Sequence, residues 1–408
     1  MEENDRRVLI DKDLRPAYYD DFHCIMAACR FSCCEGGWHI GMNKKDYLTL
    51  KRQSGSPELN HNLEHCVHRV RSGQFSARDY GEIVLQNGAC PLWRDGICSL
   101  QKEKGVDVLP EVCRTFPRTA EYMPSGYYER SLSPGCEGVL ELLWNLPDGI
   151  EFRSDPLSQD QCMIAALSGD NPLPLWFSVI REWCVDVLQN RNIPLPQRIW
   201  LMGLGLRDLP GIEGDIQRWM EKAAALQNSV DTQNVLPKDH QRLIMYLTTC
   251  IRTLAMIQSN NPAFQFVRQE LLEGLHMRPD ADTGVTTISV EPYQKARARY
   301  EERFADRAYF MENLMVALFF HLRMPYTRSK KDLWQGYVNF CNLYAFYRFL
   351  SVMSCREDAA GDKDELFRLM VYASRSLIHN KNRQDQLRDE LFKNDSATLA
   401  HMAVLLCG

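Results

Sequence analysis

Nine of the fifteen cysteines in this 408-residue chain crowd into its first third, as Cys24, Cys29, Cys33, Cys34, Cys66, Cys90, Cys98, Cys113 and Cys136. The other six, Cys162, Cys184, Cys250, Cys341, Cys355 and Cys407, are scattered over the rest. Thiols gathered in this way either pair as disulfides or stay reduced and serve as metal ligands or redox groups. The chain opens MEENDRRVLIDKDLRPAYYDDF, polar and acidic, without the basic start and apolar stretch of a secretory signal. That opening predicts a cytoplasmic protein, and in a reducing compartment the clustered thiols read as metal ligands. A region fixed by metal needs no large apolar core of its own, so its backbone is expected to be loop-rich with short strands.

Four thiols, Cys24, Cys29, Cys33 and Cys34, stand close together in FHCIMAACRFSCCEGGW, near enough for one loop to aim several at a point. Cys33 and Cys34 are adjacent, so their side chains diverge, and one of them is expected to ligate while the other packs or serves a second site. Gly36-Gly37 permits a tight turn around such a centre. In CPLWRDGIC, Asp95-Gly96 is a hairpin signal that brings Cys90 and Cys98 together across two short strands. PEVCRTFPR carries Cys113, and SPGC carries Cys136. These eight thiols suffice for one four-ligand site with spares, or for two sites. Sulfur donors suit zinc or an iron–sulfur cluster; Cys29 and Cys33 fit the C-x2-4-C pairs of zinc sites loosely, the other spacings match neither zinc fingers nor ferredoxin runs, and both metals stay open. His23, His39, His61, His65 and His68 lie nearby and read as surface residues, and Cys66 is the weakest of the nine thiols as a ligand.

A net charge of −5 gives no electrostatic basis for general binding to nucleic acid or to an anionic membrane. No apolar run approaches the roughly 18 residues that span a bilayer. From about residue 170 the pattern turns helical, with a start at Asp170-Asn171-Pro172 and apolar residues at helical spacing through Val187. Further helices are predicted over 196–207, 213–228, 238–258, 262–275, 292–323, 331–354, 364–379 and 384–405, with a polar linker at 278–287. The stripes Leu314, Leu318, Phe319 and Tyr337, Phe340, Tyr344, Tyr347, Phe349 read as helix–helix core rather than as a ligand wall. The expected fold is mainly α. A cysteine-rich metal domain spans 1–150, a helical domain 151–280 and a helical carboxy-terminal domain 288–408.

The set C-x4-C-x3-CC followed by GW, then CPLWRDGIC, P-x-x-C-R-x-F-P and SPGC, resembles the zinc- or iron-chelating cysteine-cluster family. Within it, the longer helical tail, through ENLMVALFFHLRMPY and YVNFCNLYAFYRFL, resembles the flagellin lysine N-methylase branch. The resemblance implies an S-adenosylmethionine-dependent enzyme that methylates lysine ε-amines of flagellin and carries a [4Fe-4S] cluster. The family's cysteine motif falls here on Cys24, Cys29, Cys33, Cys34, Cys90, Cys98, Cys113 and Cys136. No Gly-rich loop follows a strong strand, so the fold is not the Rossmann methyltransferase one, and no C-x3-C-x2-C set of the usual radical enzymes is present. S-adenosylmethionine is therefore expected in a non-standard site. Aromatic rings attract a sulfonium, which makes Trp38, Trp93, Tyr122, Tyr127 and Tyr128 candidates alongside their role in packing. Arg114 and Arg118, beside Cys113, are candidates for the cofactor carboxylate or the charge of the cluster. The competing readings are a non-enzymatic metal-binding or redox-sensitive interaction protein and a radical methylase.

Overall fold

The computed structural model describes residues 12–71, 79–123, 127–156, 158, 162–165, 176–207, 215–229, 236, 239–257, 261–279, 286–325, 333–378, 381–393 and 396–408. The fold is mainly α, with short strands confined to the early part and a small ladder later. The helix start expected at Asp170-Asn171-Pro172 lies outside the described residues. The chain divides into two compact units. The first comprises Met1–Leu142, Glu151–Leu167 and Ser259–Gln265, and the second comprises Leu143–Ile150, Ser168–Gln258 and Phe266–Gly408.

The first unit begins with β1 (Lys12–Pro16), followed by β2 (Ile40–Met42), α1 (Lys44–Lys51), α2 (Pro57–Cys66), β3 (Val67–Arg69) and β4 (Gly81–Ile83). Asn43 caps α1 by accepting the Asp46 N–H, and Ser56 with Pro57 opens α2. Next come β5 (Trp93–Arg94), β6 (Ile97–Cys98), α3 (Ser99–Lys104), α4 (Glu111–Thr115), β7 (Arg118–Met123), β8 (Tyr127–Leu132) and α5 (Glu137–Trp144, whose last two residues belong to the second unit). The strands β9 (Phe152–Pro156) and β10 (Met163–Ala165) complete a five-stranded sheet in the order β10-β7-β8-β1-β9. This sheet mixes parallel pairs (β1 with β8, β10 with β7) and antiparallel pairs (β7 with β8, β1 with β9). It is not the parallel sheet of a Rossmann enzyme.

The segment GYYERSLSPGC looks poorly patterned in sequence because β8 is a central strand whose residues from Glu129 to Leu132 are all buried. Alternation between core and solvent marks only half-buried strands. Buried charge here is paired. Asp13, with no exposed surface, accepts from Arg130 at 2.5 Å and from Arg15. A separate apolar cluster, including Ile40, Leu50, Leu63, Ile83, Leu92 and Leu100, joins the small sheet β2-β4-β3 to α1, α2 and α3, with Cys34, Trp38, Trp93 and Cys98 packed against it.

The second unit is helical: α6 (Phe177–Gln189), α7 (Leu195–Arg207), α8 (Ile216–Ser229), α9 (His240–Met256) and α10 (Pro262–Gly274, whose first turn belongs to the first unit). After a short ladder of β11 (Arg278–Pro279) with β12 (Thr286–Thr287) come α11 (Glu291–Arg303), α12 (Tyr309–His321), α13 (Leu333–Met353), α14 (Lys363–Leu377), α15 (Lys381–Lys393) and α16 (Leu399–Leu405). Helices α12 and α13 are apolar nearly all round and form the core; the two stripes read from sequence, Leu314 to Phe319 and Tyr337 to Phe349, are buried there. Two predicted helices are each broken in two. The stretch 292–323 is interrupted by a 3-10 turn at Ala305–Arg307, and 384–405 by a restart at Thr398, whose hydroxyl caps α16. Among the described residues no helix is long and apolar enough to cross a membrane.

Candidate metal centre

The first thiol loop is held by side chains rather than by regular structure. Ser32, buried, accepts the Cys34 N–H at 3.1 Å and starts a 3-10 turn over Cys33–Glu35. Glu137, buried at the start of α5, gathers the preceding stretch. Its carboxylate accepts the backbone N–H groups of Arg30 (2.7 Å) and Phe31 (2.9 Å), the Arg30 guanidinium (2.8 Å) and the Cys29 thiol (3.3 Å). Since Glu137 directly follows Cys136, Cys29 and Cys136 share one carboxylate neighbourhood.

At the other end of the loop, Asn261 donates to the Gly36 carbonyl at 2.6 Å. Gly37 has φ +64°, and a Cβ there would stand 2.6 Å from the Asn261 Cβ. A Gly37→Ala substitution therefore combines left-handed strain with a collision and is expected to cost about 1–3 kcal/mol. Gly105→Ala is the comparison: φ is +85° there, but nothing lies within 4 Å, so only the strain remains. Urea unfolding of the two variants separates the contributions, and equal losses would mean that Asn261 does not clasp the loop.

The second thiol unit is the expected hairpin. Asp95 (φ 48°) and Gly96 (φ 78°) are both left-handed, as a two-residue turn of this hand requires, and Trp93 pairs with Cys98 across it. The Cys90 N–H donates to the Cys34 carbonyl at 2.8 Å, tying hairpin to first loop. The third unit is α4, carrying Cys113. Buried Asp46 accepts the Glu111 N–H at 2.8 Å and pairs with Arg114 at 3.3 Å, which fixes α4 against α1.

These three units converge. Cys33 and Cys34 share a hydrogen bond, and the Cys34 thiol is further raised by burial and by the nearby charges of Cys33, Cys90 and Cys98. Burial, then Cys33, Cys90 and Cys98, pushes Cys113 well above the ordinary thiol range. Burial lifts Cys90 to about 12 and raises Cys98 and Cys24, with Cys33 contributing to all three. Cys33, Cys34, Cys90, Cys98 and Cys113 thus lie within electrostatic reach of one another, and Cys24 lies within reach of Cys33. Cys113 keeps accessible surface on α4. Cys66 is buried and feels Cys98.

Among the described residues no three His, Cys, Asp or Glu side chains stand in metal-holding geometry as they are. The donor chemistry nevertheless fits a soft metal. Five thiols from three loops lie within electrostatic reach, and each is raised or raises its neighbours, so thiolates can accumulate there only with a compensating cation.

The other sequence candidates occupy defined places. Trp38 meets the Phe116 ring edge-on at 4.8 Å. Arg114 holds Asp46 and donates to the Leu109 carbonyl at 2.6 Å. Arg118 donates to the Phe22 carbonyl at 2.8 Å and lies over the Phe22 ring. The Tyr127 hydroxyl donates to Glu129 at 3.4 Å, and Tyr122 and Tyr128 meet edge-on. His61 and His65 stack on the exposed side of α2, and His39 faces Asp79 and Glu82. Sequence reading missed Ser32, Glu137 and Asn261 as holders of the thiol loops. A local signal existed only for Ser32, a capping residue just before a turn.

The family model described as the FliB lysine N-methylase C-terminal domain matches residues 181–405, more than half of the chain and all of it beyond the eight candidate thiols. No curated protein and no solved structure matches significantly.

Proposed function

The chain belongs to the FliB lysine N-methylase family, and on that premise we propose that it transfers methyl groups from S-adenosylmethionine to lysine ε-amines of flagellin and carries an iron–sulfur cluster. The observation that carries this reading is the family match over the helical part. The converging thiols of the first unit support the cluster. Cys33, Cys34, Cys90, Cys98 and Cys113 are the residues that would hold it, with Ser32, Glu137 and Asn261 positioning their loops. When bound, such a cluster would supply Lewis-acidic iron and a further tie among loops that already pack on one apolar cluster.

Methyl transfer to an amine needs a neutral nitrogen. With a reference pKa near 10.4, only about one lysine in 2,500 is neutral at pH 7. The protein must therefore strip water from the ammonium or offer a base, and hold nitrogen, carbon and sulfur in line. Neither demand requires a radical.

The test is anaerobic purification with iron, sulfide and zinc analysis, followed by mass spectrometry of flagellin incubated with S-adenosylmethionine. Stoichiometric iron and sulfide, methylated lysines and S-adenosylhomocysteine are expected. Unmodified flagellin would sink the enzymatic reading, and 5′-deoxyadenosine in place of S-adenosylhomocysteine would assign a radical methylase. Zinc without sulfide would replace the cluster.

A further inference from the structure

The outer face of α2 carries an imidazole pair that belongs to none of the thiol units. His61 and His65 stand one turn apart, both exposed, with ring centroids 4.1 Å apart and planes inclined by 28°. Residues four apart on an α-helix lie one above the other, so two side chains there can reach a single point. The backbone beneath them is fixed. Leu59, Asn62, Leu63 and Cys66 bury the opposite face of α2, Ser56 caps its start, and the Val67 N–H donates to the Leu63 carbonyl at its end. A ligand shared by the two rings therefore has little backbone left to order.

One contact sets the tautomer. His65 Nδ1 lies 2.7 Å from the His61 carbonyl oxygen. A carbonyl only accepts, so Nδ1 carries the hydrogen, and in the neutral ring Nε2 keeps its lone pair. Proteins orient metal-binding histidines in this way, by holding the other ring nitrogen's hydrogen on an oxygen. The neutral His61 ring can offer either nitrogen. His68, past the helix end on β3, donates from Nε2 to the His65 carbonyl at 3.0 Å and so steadies the turn that carries His65.

Lone pairs on neutral imidazoles attract a cation, and they favour borderline divalent ions over Mg2+ and Ca2+, which take oxygen donors. We propose that His61 and His65 chelate one such ion, of the zinc, nickel and copper class, on the outside of α2, with water completing its coordination. The site is separate from the thiols and independent of the metal they hold. With two protein donors it binds its ion reversibly and exchanges it with solution, unlike a centre closed by four sulfurs.

Equilibrium dialysis of the full-length, anaerobically purified protein against Ni2+ is the test, because nickel thiolates absorb intensely by charge transfer and nickel imidazoles do not. One Ni2+ per chain is expected beyond any that brings such a band. His61→Ala and His65→Ala should each raise the Kd for that ion at least about tenfold, and the double variant little further, since losing either arm already breaks the chelate. Both positions are exposed and alanine favours helix, so the variants keep the fold. His240→Ala removes a solitary exposed imidazole at the start of α9 and should leave the Kd unchanged. Parental affinity in both His61→Ala and His65→Ala, an equal loss in His240→Ala, a thiolate band accounting for all bound nickel, or saturation only above about 1 mM Ni2+ would each overturn the proposal.

Discussion

Replacing Cys33 by serine is expected to leave anaerobically purified protein with less than about a tenth of the parent's iron, and to lose methyl transfer in proportion. The reason is positional. Cys33 is the thiol felt by Cys24, Cys34, Cys90, Cys98 and Cys113, so its loss removes the common member of the group. The control is Cys250→Ala. That sulfur is buried in the helical unit, 3.6 Å from the Ala345 carbonyl, and its removal should cost some stability but no iron. Iron and sulfide per chain are the measurement. Full iron in the Cys33→Ser protein, or equal loss from both variants, would show that the metal is held elsewhere.

The largest stability effect is expected at Glu312. Its carboxylate lies inside α12, 4% exposed, and is held by Arg198 at 2.5 Å and by Arg191 at 2.9 Å. Arg198 is itself 7% exposed and otherwise faces only the carbonyls of Leu188 and Ile193. In a Glu312→Ala protein its charge stays in the interior without a counter-charge, a loss of about 3–5 kcal/mol. For a body of this size each kcal/mol lowers the Tm by roughly 2–4 °C. Glu151→Ala breaks a pair with Arg153 whose members are 69% and 50% exposed, and should fall within about 1 kcal/mol of the parent. Thermal and urea unfolding of the two variants settle the comparison. A Glu312→Ala protein as stable as Glu151→Ala would mean that the site admits water freely.

What could be read in advance was local. Asp95-Gly96 announces its turn because only residues tolerant of positive φ fit there, and the hairpin forms as expected. Helices with a one-sided or all-round apolar surface were legible, and the break at Ala305–Arg307 was not, since Phe304, Ala305 and Ala308 keep apolar residues on either side of it; the restart at Thr398 did carry a signal, the polar run Lys393-Asn394-Asp395-Ser396 ahead of a capping hydroxyl. The thiols were legible as a set, and their division of labour was not. Which of them meet depends on Glu137 reaching back 108 residues to Cys29 and on Asp46 gripping α4, and no spacing rule carries such distances.

Asn261 and Gly36 are 225 positions apart, yet Asn261 belongs to the compact unit that holds the thiols. During synthesis the amino-terminal cysteines leave the ribosome long before the residue that closes their loop. The loop is thus fastened only after several helices have been made, and any metal bound earlier would meet an open form. A fragment ending at Ala165 would keep every candidate sulfur, the Glu137 carboxylate and all five strands of the mixed sheet and still lack its latch, so any iron it binds should pass to a chelator faster than from the whole chain.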